Sequence, residues 1–394
     1  MKKGGVSLKI KRVILASLIL IMMISLFLSG CSIFSKKSVP AEEQAADKGE
    51  AEEKINEDEI FKQNCKYKPV NENSNIDVWR VMNYLGSLTE REDKRVVSGQ
   101  FCGHGNEIIT NKEWDKFFES VYLKTGKYPG MISIDYEYSK IFTLEELLEG
   151  NKKLIEHWEN GGLVSINYTA RNPFTGGSTR DMSLRGSTLK DLVNPESEHY
   201  NKWHERLDVI AKALKDLQDK GVVVLWRPMQ EMNGTWFWYS KDEYADVWID
   251  MFNYFKKLEI NNLIWVWSVA DGRKVIWERY PGDEYVDIVG TNPYSDGVFM
   301  DNYNELLKKN KIIAATELGF SHDNARGNKD LMKIINSIRN RYPLCVWHMN
   351  WHTWSPNNRH ALIDNDNLES FMNDPWIITR EEINWRGESK KETK

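Results

Sequence analysis

The sequence predicts a (β/α)8 TIM barrel, and three observations lead to that fold class. Short β-rich runs recur eight times along the chain, and segments with the spacing of amphipathic helices lie between them. The runs are almost continuously apolar, which is typical of parallel strands buried on both faces. An open doubly wound sheet is the alternative, but no glycine-rich phosphate loop follows any run. The eight runs cover residues 95–101, 130–138, 162–168, 221–228, 262–270, 286–294, 311–320 and 342–351.

The N-terminus has the composition of a targeting segment. A basic stretch, MKKGGVSLKIKR, precedes the apolar stretch VILASLILIMMISLFL, and LSGC follows at 28–31. The last four residues resemble the lipobox of bacterial lipoproteins. That resemblance implies that residues 1–31 carry the signal and that Cys31 becomes the lipidated first residue of the mature protein. An uncleaved anchor helix is the alternative, and either reading puts the body of the protein at the extracellular face of the bacterial cell membrane.

Residues 32–60 are predicted to form a disordered acidic tether. The stretch is polar and rich in Asp and Glu, and Phe34 is its only aromatic residue. A segment of this composition cannot bury enough apolar surface to offset the entropy that folding costs. Residues 61–394 are therefore expected to form a single globular domain.

The composition argues against some classes of partner and favours another. The net charge is −5, which gives no electrostatic basis for binding nucleic acid. The 16 Trp residues suit either an aromatic core or a surface that stacks on sugar rings, and the second is preferred because many lie near the ends of predicted strands. No CxxC or His-rich spacing indicates a metal site, so neither a metal nor a cofactor is expected. We expect a monomer.

Three cysteines remain in the body of the protein, at Cys65, Cys102 and Cys345. An odd number allows at most one disulfide among them. A bond between Cys65 and Cys102 is compatible with an extracellular location, but the spacing does not decide whether it forms. Cys345 lies in an apolar run and is predicted to be a buried thiol.

Two glutamates occupy equivalent places where apolar runs stop. Glu231 follows the fourth run and Glu317 follows the seventh. In a (β/α)8 barrel chemistry takes place at the carboxyl ends of the strands, where strands 4 and 7 face each other across the mouth. Paired carboxylates across a cleft are what glycoside hydrolysis requires, one protonated and one ionised. The alternative is structural, since either Glu could simply pair with an arginine such as Arg227.

Several segments resemble glycoside hydrolase family 26. RPMQEMNGTWFW at 227–238 is similar to the family's strand-4 signature, in which Arg-Pro, Glu and Asn-Gly precede an aromatic cluster. VSGQF at 97–101, GGLVSINYTARNPFTGG at 161–177 and ATELGF at 315–320 are weaker matches in the order that the family has. The resemblance covers about residues 70–390. The family consists of retaining β-glycanases, mostly endo-β-1,4-mannanases.

The resemblance implies that Glu231 is the general acid/base and that Glu317 is the nucleophile. Burial among indole rings is expected to raise the pKa of Glu231, and Arg227 with Tyr294 is expected to keep Glu317 ionised. Asn233 could bond a sugar hydroxyl or orient the nucleophile, and Trp347 could form the floor under the sugar next to the cleaved bond. The predicted substrate-binding residues are Gln230, Asn233, Trp236, Trp238, Tyr294 and Trp347.

Two positions depart from the family pattern. Gln230 stands before the candidate acid, where the family usually has a His. Tyr168 and Thr169 stand where mannanases of the family usually have Trp-His. The second departure concerns positions that help define the sugar bound on the non-reducing side, so it bears on specificity for mannan.

The predicted function is retaining, endo-acting hydrolysis of a plant-type β-glycan, with β-1,4-mannan favoured. Mixed-linkage β-glucan and β-1,3-xylan are the alternatives within the family. A protein of another class, a catalytically inactive and lipid-anchored glycan-binding protein, would use the same aromatic residues. The presence of both Glu231 and Glu317 argues against it, and the lack of a phosphate loop argues against a nucleotide-binding protein.

Overall fold

The computed structural model of the protein describes residues 57–387, except residues 275 and 323. The predicted signal with Cys31 and nearly all of the predicted tether lie outside these residues. From Ile60 onward the chain forms one compact unit. No helix in the part of the chain that the structure describes is long and apolar enough to cross a membrane.

Eight parallel strands close into a barrel, as the sequence predicts. Each strand pairs with the next one, and the eighth pairs back with the first, where Val97 lies opposite Trp347. All residues of the eight strands are buried, in agreement with their apolar sequences. The strands are β1 Val96–His104, β2 Met131–Asp135, β3 Leu163–Tyr168, β4 Val224–Pro228, β5 Leu263–Ala270, β6 Ile288–Asn292, β7 Ile312–Leu318 and β8 Cys345–Asn350.

Helices precede the barrel and follow most of its strands. The two longest begin at capping residues: Thr143 forms a capping box with Glu146, and the Ser197 hydroxyl accepts from the His199 N–H. The connection from β5 to β6 carries a 3-10 turn at Asp283–Tyr285. Residues 57–64 are also helical, including the last four residues of the predicted tether. From Ile76 onward the α-helices are α1 Ile76–Ser87, α2 Glu107–Thr110, α3 Ser120–Thr125, α4 Leu144–Glu159, α5 Glu198–Asp219, α6 Tyr244–Lys257, α7 Tyr303–Leu307, α8 Met332–Arg341 and α9 Leu368–Met372.

Much of the tryptophan content serves the core, which differs from the preferred interpretation of the composition. Six indole rings are among the largest fully buried side chains, because wide rings fill the space between the sheet and its helices. These six are Trp203, Trp226, Trp238, Trp248, Trp267 and Trp347.

The three cysteines of the body are buried free thiols. Cys65 and Cys102 are not joined, so the disulfide left open by the sequence does not form in this structure. Cys345 is buried at the start of β8, as predicted.

Short strand pairs brace the chain around the barrel. Ile377–Ile378 pairs with the start of β1, and Ala325–Arg326 pairs with Asn358–Arg359. The second pair joins the loops that follow β7 and β8. It thereby fixes one side of the barrel mouth, where the carboxyl ends of the strands meet.

Candidate active site

A cavity of about 890 Å³ occupies the mouth of the barrel. Glu231 and Glu317 both line it, so the structure brings together the two carboxylates that the sequence singled out. Asn292, Tyr294 and Trp236 line the same cavity. A concave pocket with convergent polar groups at this end of a (β/α)8 barrel is where an active site is expected.

Asn292, the last residue of β6, bridges the two carboxylates. Its Nδ2 atom lies 2.9 Å from Oε1 of Glu231 and 3.4 Å from Oε2 of Glu317. Its Oδ1 atom accepts from the Ser268 and Thr316 hydroxyls, at 3.0 and 2.9 Å, so the amide nitrogen is turned toward the carboxylates. One buried amide nitrogen therefore contacts both acidic groups.

Glu317, near the end of β7, also accepts from Arg227 in β4 and from Tyr294, which lies two residues beyond β6. Nη2 of Arg227 lies 3.0 Å from Oε2, and the Tyr294 hydroxyl donates to Oε1. Arg227 is itself buried, and its Nε atom donates to Asn167 at 2.8 Å. A cation and a hydroxyl therefore contact the two oxygens of this buried carboxyl group, and hydrogen bonds of this kind to a charged group are strong ones.

Glu231 lies in a strained turn directly after β4. Met229 and Glu231 both have positive φ, 44° and 60°, a region that costs non-glycine residues about 1–3 kcal/mol each. The surrounding protein holds this conformation: the Glu231 N–H donates to the Ser268 carbonyl at 2.9 Å. The hydroxyls of Tyr239 and Tyr244 donate to the carbonyls of Gln230 and Met229. The turn thus aims a carboxylate at the cavity with little freedom to move.

Burial raises the pKa of Glu231 to about 7, and the neighbouring charge of Glu317 acts in the same direction. Hydrogen bonds from Asn292 and from Nε1 of Trp236, which lies 2.9 Å from Oε2, oppose this shift. A carboxyl with a pKa near 7 is substantially protonated at neutral pH. The pair can therefore supply one proton donor and one nucleophilic or charge-stabilising carboxylate.

A model of one protein family, described as Glycosyl hydrolase family 26, matches residues 70–382. The chain belongs to this family. The match covers nearly all of the barrel, from the segment before α1 to the segment after β8. The family that the sequence motifs resembled is therefore confirmed, and with it the assignment to the glycoside hydrolases.

Individual relatives agree with the family. The chain is 33% identical over 334 residues to "Mannan endo-1,4-beta-mannosidase A and B" of Caldalkalibacillus mannanilyticus, covering 80% of this chain but only 63% of that relative. It is 29% identical to "Mannan endo-1,4-beta-mannosidase" of Bacillus subtilis strain 168, covering 82% of this chain and 90% of the relative. The solved "Structure of Bacillus subtilis mannanase man26" superposes with a TM-score of 0.69 at 26% identity, over 79% of this chain and 95% of that one.

Three of the six predicted substrate-binding residues line the cavity of this family 26 protein, namely Gln230, Trp236 and Tyr294. The other three, Asn233, Trp238 and Trp347, make structural contacts outside the cavity lining. Asn233 exchanges two hydrogen bonds with the backbone of Ala270, at 3.0 and 2.8 Å, and so fastens the β4 turn to the end of β5.

The two remaining residues, Trp238 and Trp347, belong to the core. Trp238 is fully buried and donates to the carbonyl of Ala170 at 2.7 Å. Trp347 is 2% exposed, because β8 continues to Asn350 and the indole lies three residues inside the barrel. Trp351, just beyond the end of β8, lines the cavity and stacks on Phe101 at 3.8 Å. The floor expected at Trp347 is therefore better matched by Trp351.

Both departures from the family pattern meet beneath the cavity. Nε2 of Gln230 donates to the Thr169 hydroxyl at 2.6 Å, and that hydroxyl donates to the buried carboxylate of Asp135. Tyr168 and Thr169 are fully buried. These two residues therefore support Gln230 and the barrel wall from below.

Sequence reasoning missed Asn292, although a signal was present. The residue ends a predicted strand, in VDIVGTNPY, and the rule that selected the two glutamates would also have selected it. Arg180 and Arg273 line the cavity from loops that follow β3 and β5. Arg180 is far from a strand end, whereas Arg273 lies three residues beyond Ala270, the same offset at which Glu231 follows Pro228. Over the described residues, no group of three or more His, Cys, Asp or Glu side chains could hold a metal ion.

Replacing Trp236 by Phe should raise the pKa of Glu231, because the indole N–H that stabilises the ionised carboxylate is lost. Proton donation needs protonated Glu231, so the rate falls as pH rises through this pKa. The alkaline limb of kcat/KM for glycan hydrolysis should move to higher pH in the variant, by about half a unit or more.

Trp238→Phe is the matched control, because the Trp238 indole N–H donates to the Ala170 carbonyl and not to Glu231. The alkaline limb of kcat/KM should stay in place in this variant. An alkaline limb that is unmoved or moves to lower pH in Trp236→Phe would show that this bond does not tune Glu231.

Proposed function

We propose that this protein is a retaining endo-β-1,4-mannanase in which Glu231 is the general acid/base and Glu317 the nucleophile. The observation that carries the proposal is the bridge made by Asn292. Its nitrogen lies 2.9 and 3.4 Å from one oxygen of each carboxylate, so these oxygens cannot be more than about 6.3 Å apart, the sum of the two distances. Retaining enzymes have carboxyl separations of about 5–5.5 Å, and inverting enzymes about 6.5–9.5 Å.

The chemistry follows from the surroundings of each carboxylate. Protonated Glu231 donates its proton to the glycosidic oxygen while Glu317 attacks the anomeric carbon, which forms a covalent glycosyl-enzyme and releases the departing sugar. Ionised Glu231 then takes a proton from water, and that water cleaves the glycosyl-enzyme. Arg227 and the Tyr294 hydroxyl donate hydrogen bonds to the Glu317 carboxylate before the attack. They stabilise it again when water displaces it from the glycosyl-enzyme.

The names of two relatives support mannan as the substrate, since both are mannan endo-1,4-β-mannosidases. Mixed-linkage β-glucan and β-1,3-xylan are the alternatives to be compared with it. Tyr168 and Thr169, which replace the residues usual in mannanases, are buried below the cavity. The surface that meets the sugar on this side is therefore formed by other residues.

The substrate proposal is tested by incubating the protein with soluble β-mannan, mixed-linkage β-glucan and β-1,3-xylan and measuring reducing sugar. We expect the highest kcat/KM on β-mannan and rapid loss of viscosity, as internal cleavage produces. Binding of mannan without release of reducing sugar would instead support a glycan-binding protein. If kcat/KM were higher on one of the other two glycans, that glycan and not mannan would be the substrate.

The same assay should show losses of about 10³-fold or more for Glu231→Ala and Glu317→Ala. A substrate with a 4-nitrophenolate leaving group needs no proton, so Glu231→Ala should still release a first equivalent of nitrophenol whereas Glu317→Ala should not. Glu113→Gln is the control, because Glu113 is a partly buried glutamate outside the cavity lining. If either alanine variant kept more than about a tenth of the wild-type rate, the replaced glutamate would not have the catalytic role proposed for it.

Retention of configuration gives a separate prediction. Proton NMR of the first products should show the β-anomer before mutarotation, because two displacements at one carbon restore its configuration. If the α-anomer appeared first, the enzyme would be inverting. An inverting mechanism needs a water between the two carboxylates, which would have to lie further apart than they do in this structure.

The location is also part of the proposal: an acylated Cys31 and the tether at 32–60 would hold the barrel at the outer face of the cell membrane as a monomer. The wild type should be labelled by a radioactive fatty acid, and Cys31→Ser should abolish the labelling. A wild type that stays in the membrane fraction without any such label would support an uncleaved anchor helix instead.

A further inference from the structure

One wall of the cavity is built from two aromatic rings, each with a guanidinium group over it. This wall consists of Trp236, Phe237, Arg273 and Arg180, and all four residues line the cavity. Arg273 lies 5.1 Å from the centre of the Trp236 ring, and Arg180 lies 5.5 Å from the centre of Phe237. The two rings are 6.3 Å apart and nearly perpendicular. The wall is therefore a row in which two adjacent aromatic rings lie between two guanidinium groups.

Neither arginine of this wall forms an ion pair with a carboxylate of the described residues. Both side chains are exposed, in contrast to Arg227 and Arg206, which are tied to Glu317 and Glu137. A guanidinium over a ring can still donate from its in-plane N–H groups, and its orientation is already restricted. Arg180 is further held by a side-chain hydrogen bond with Tyr138, which also lines the cavity. Such a group is suited to bind neighbouring oxygen atoms of a ligand.

The position of the wall decides which part of a substrate it meets. Arg180, Trp236 and Arg273 come from the loops after β3, β4 and β5, which are neighbours in the barrel. This is the side of Glu231, whose Oε2 accepts from the Trp236 indole. Glu231 protonates the oxygen of the departing sugar, so that sugar begins next to this wall. The anomeric carbon faces Glu317, on the side of β7.

We propose that Arg273 and Arg180 bind the sugar residues on the leaving-group side of the cleaved bond, and so determine specificity for that part of the glycan. The inference rests on the proposed hydrolase function and on Glu231 as its acid. The ligand is a neutral saccharide with adjacent hydroxyls, to which the two N–H groups of one guanidinium edge donate together. Stacking on Trp236 and Phe237 lowers the entropy that ordering these long side chains would otherwise cost.

The experiment compares two substrates with the same glycosyl part. One is a manno-oligosaccharide cleaved between sugars. The other is the 4-nitrophenyl β-glycoside of only those sugars that lie on the non-reducing side of that bond, so that no sugar follows the cleaved bond. Arg273→Ala and Arg180→Ala should each lower kcat/KM on the oligosaccharide about tenfold or more, and change it less than about twofold on the nitrophenyl substrate. The variants should also form less transglycosylation product with an added oligosaccharide acceptor.

Lys274→Ala is the matched control, because Lys274 is an exposed cation next to Arg273 but outside the cavity lining. It should leave both substrates unaffected. Equal losses on the two substrates would assign the arginines to another step, and unchanged rates on both would remove them from binding. Either result would overturn this inference. The proposed function would still hold if the wild type hydrolysed mannan. A wild type inactive on every glycan would instead overturn the function itself.

Discussion

The pairing of β8 with β1 is the contact on which the rest of the structure depends. It converts a row of parallel strands into a closed ring, so that their carboxyl ends share one mouth. Glu231 after β4 and Glu317 in β7 meet only because the ring is closed, and Asn292 at the end of β6 lies between them. In an open sheet these three residues would lie along an edge, and no single amide could reach both carboxylates.

The charges at the mouth are organised before any substrate is bound. Arg227 is buried with one strong anionic partner, Glu317, and breaking that pair would leave an uncompensated charge in a poorly hydrated site. Glu231 instead accepts hydrogen bonds from the neutral Asn292 and Trp236 side chains, and burial raises its pKa. The strained turn at Met229 and Glu231 belongs to this arrangement, since backbone and tyrosine hydrogen bonds offset its cost.

The two sides of the mouth differ in chemistry. On the side of β3 to β5, arginines lie over aromatic rings next to Glu231. On the side of β7 and β8, the lining is formed by rings such as those of His322, Trp351 and Trp354, and the short strand pair joins the two loops. The strands carry the chemistry that a family shares, whereas loops can vary without disturbing the barrel. The mouth is therefore asymmetric, with arginines on one side and aromatic rings on the other.

The sequence by itself determined the barrel, the eight strand positions and the placement of Glu231 and Glu317, because burial on both faces and a polar strand end are properties of short segments. It also marked Trp236, Tyr294 and Gln230, which are close to those ends. Only the tertiary structure decided that Asn233, Trp238 and Trp347 serve the framework, and that Asn292 and two loop arginines face the cavity. The direction of a side chain beyond a strand end depends on which neighbours it meets, and those neighbours come from segments far away in the chain.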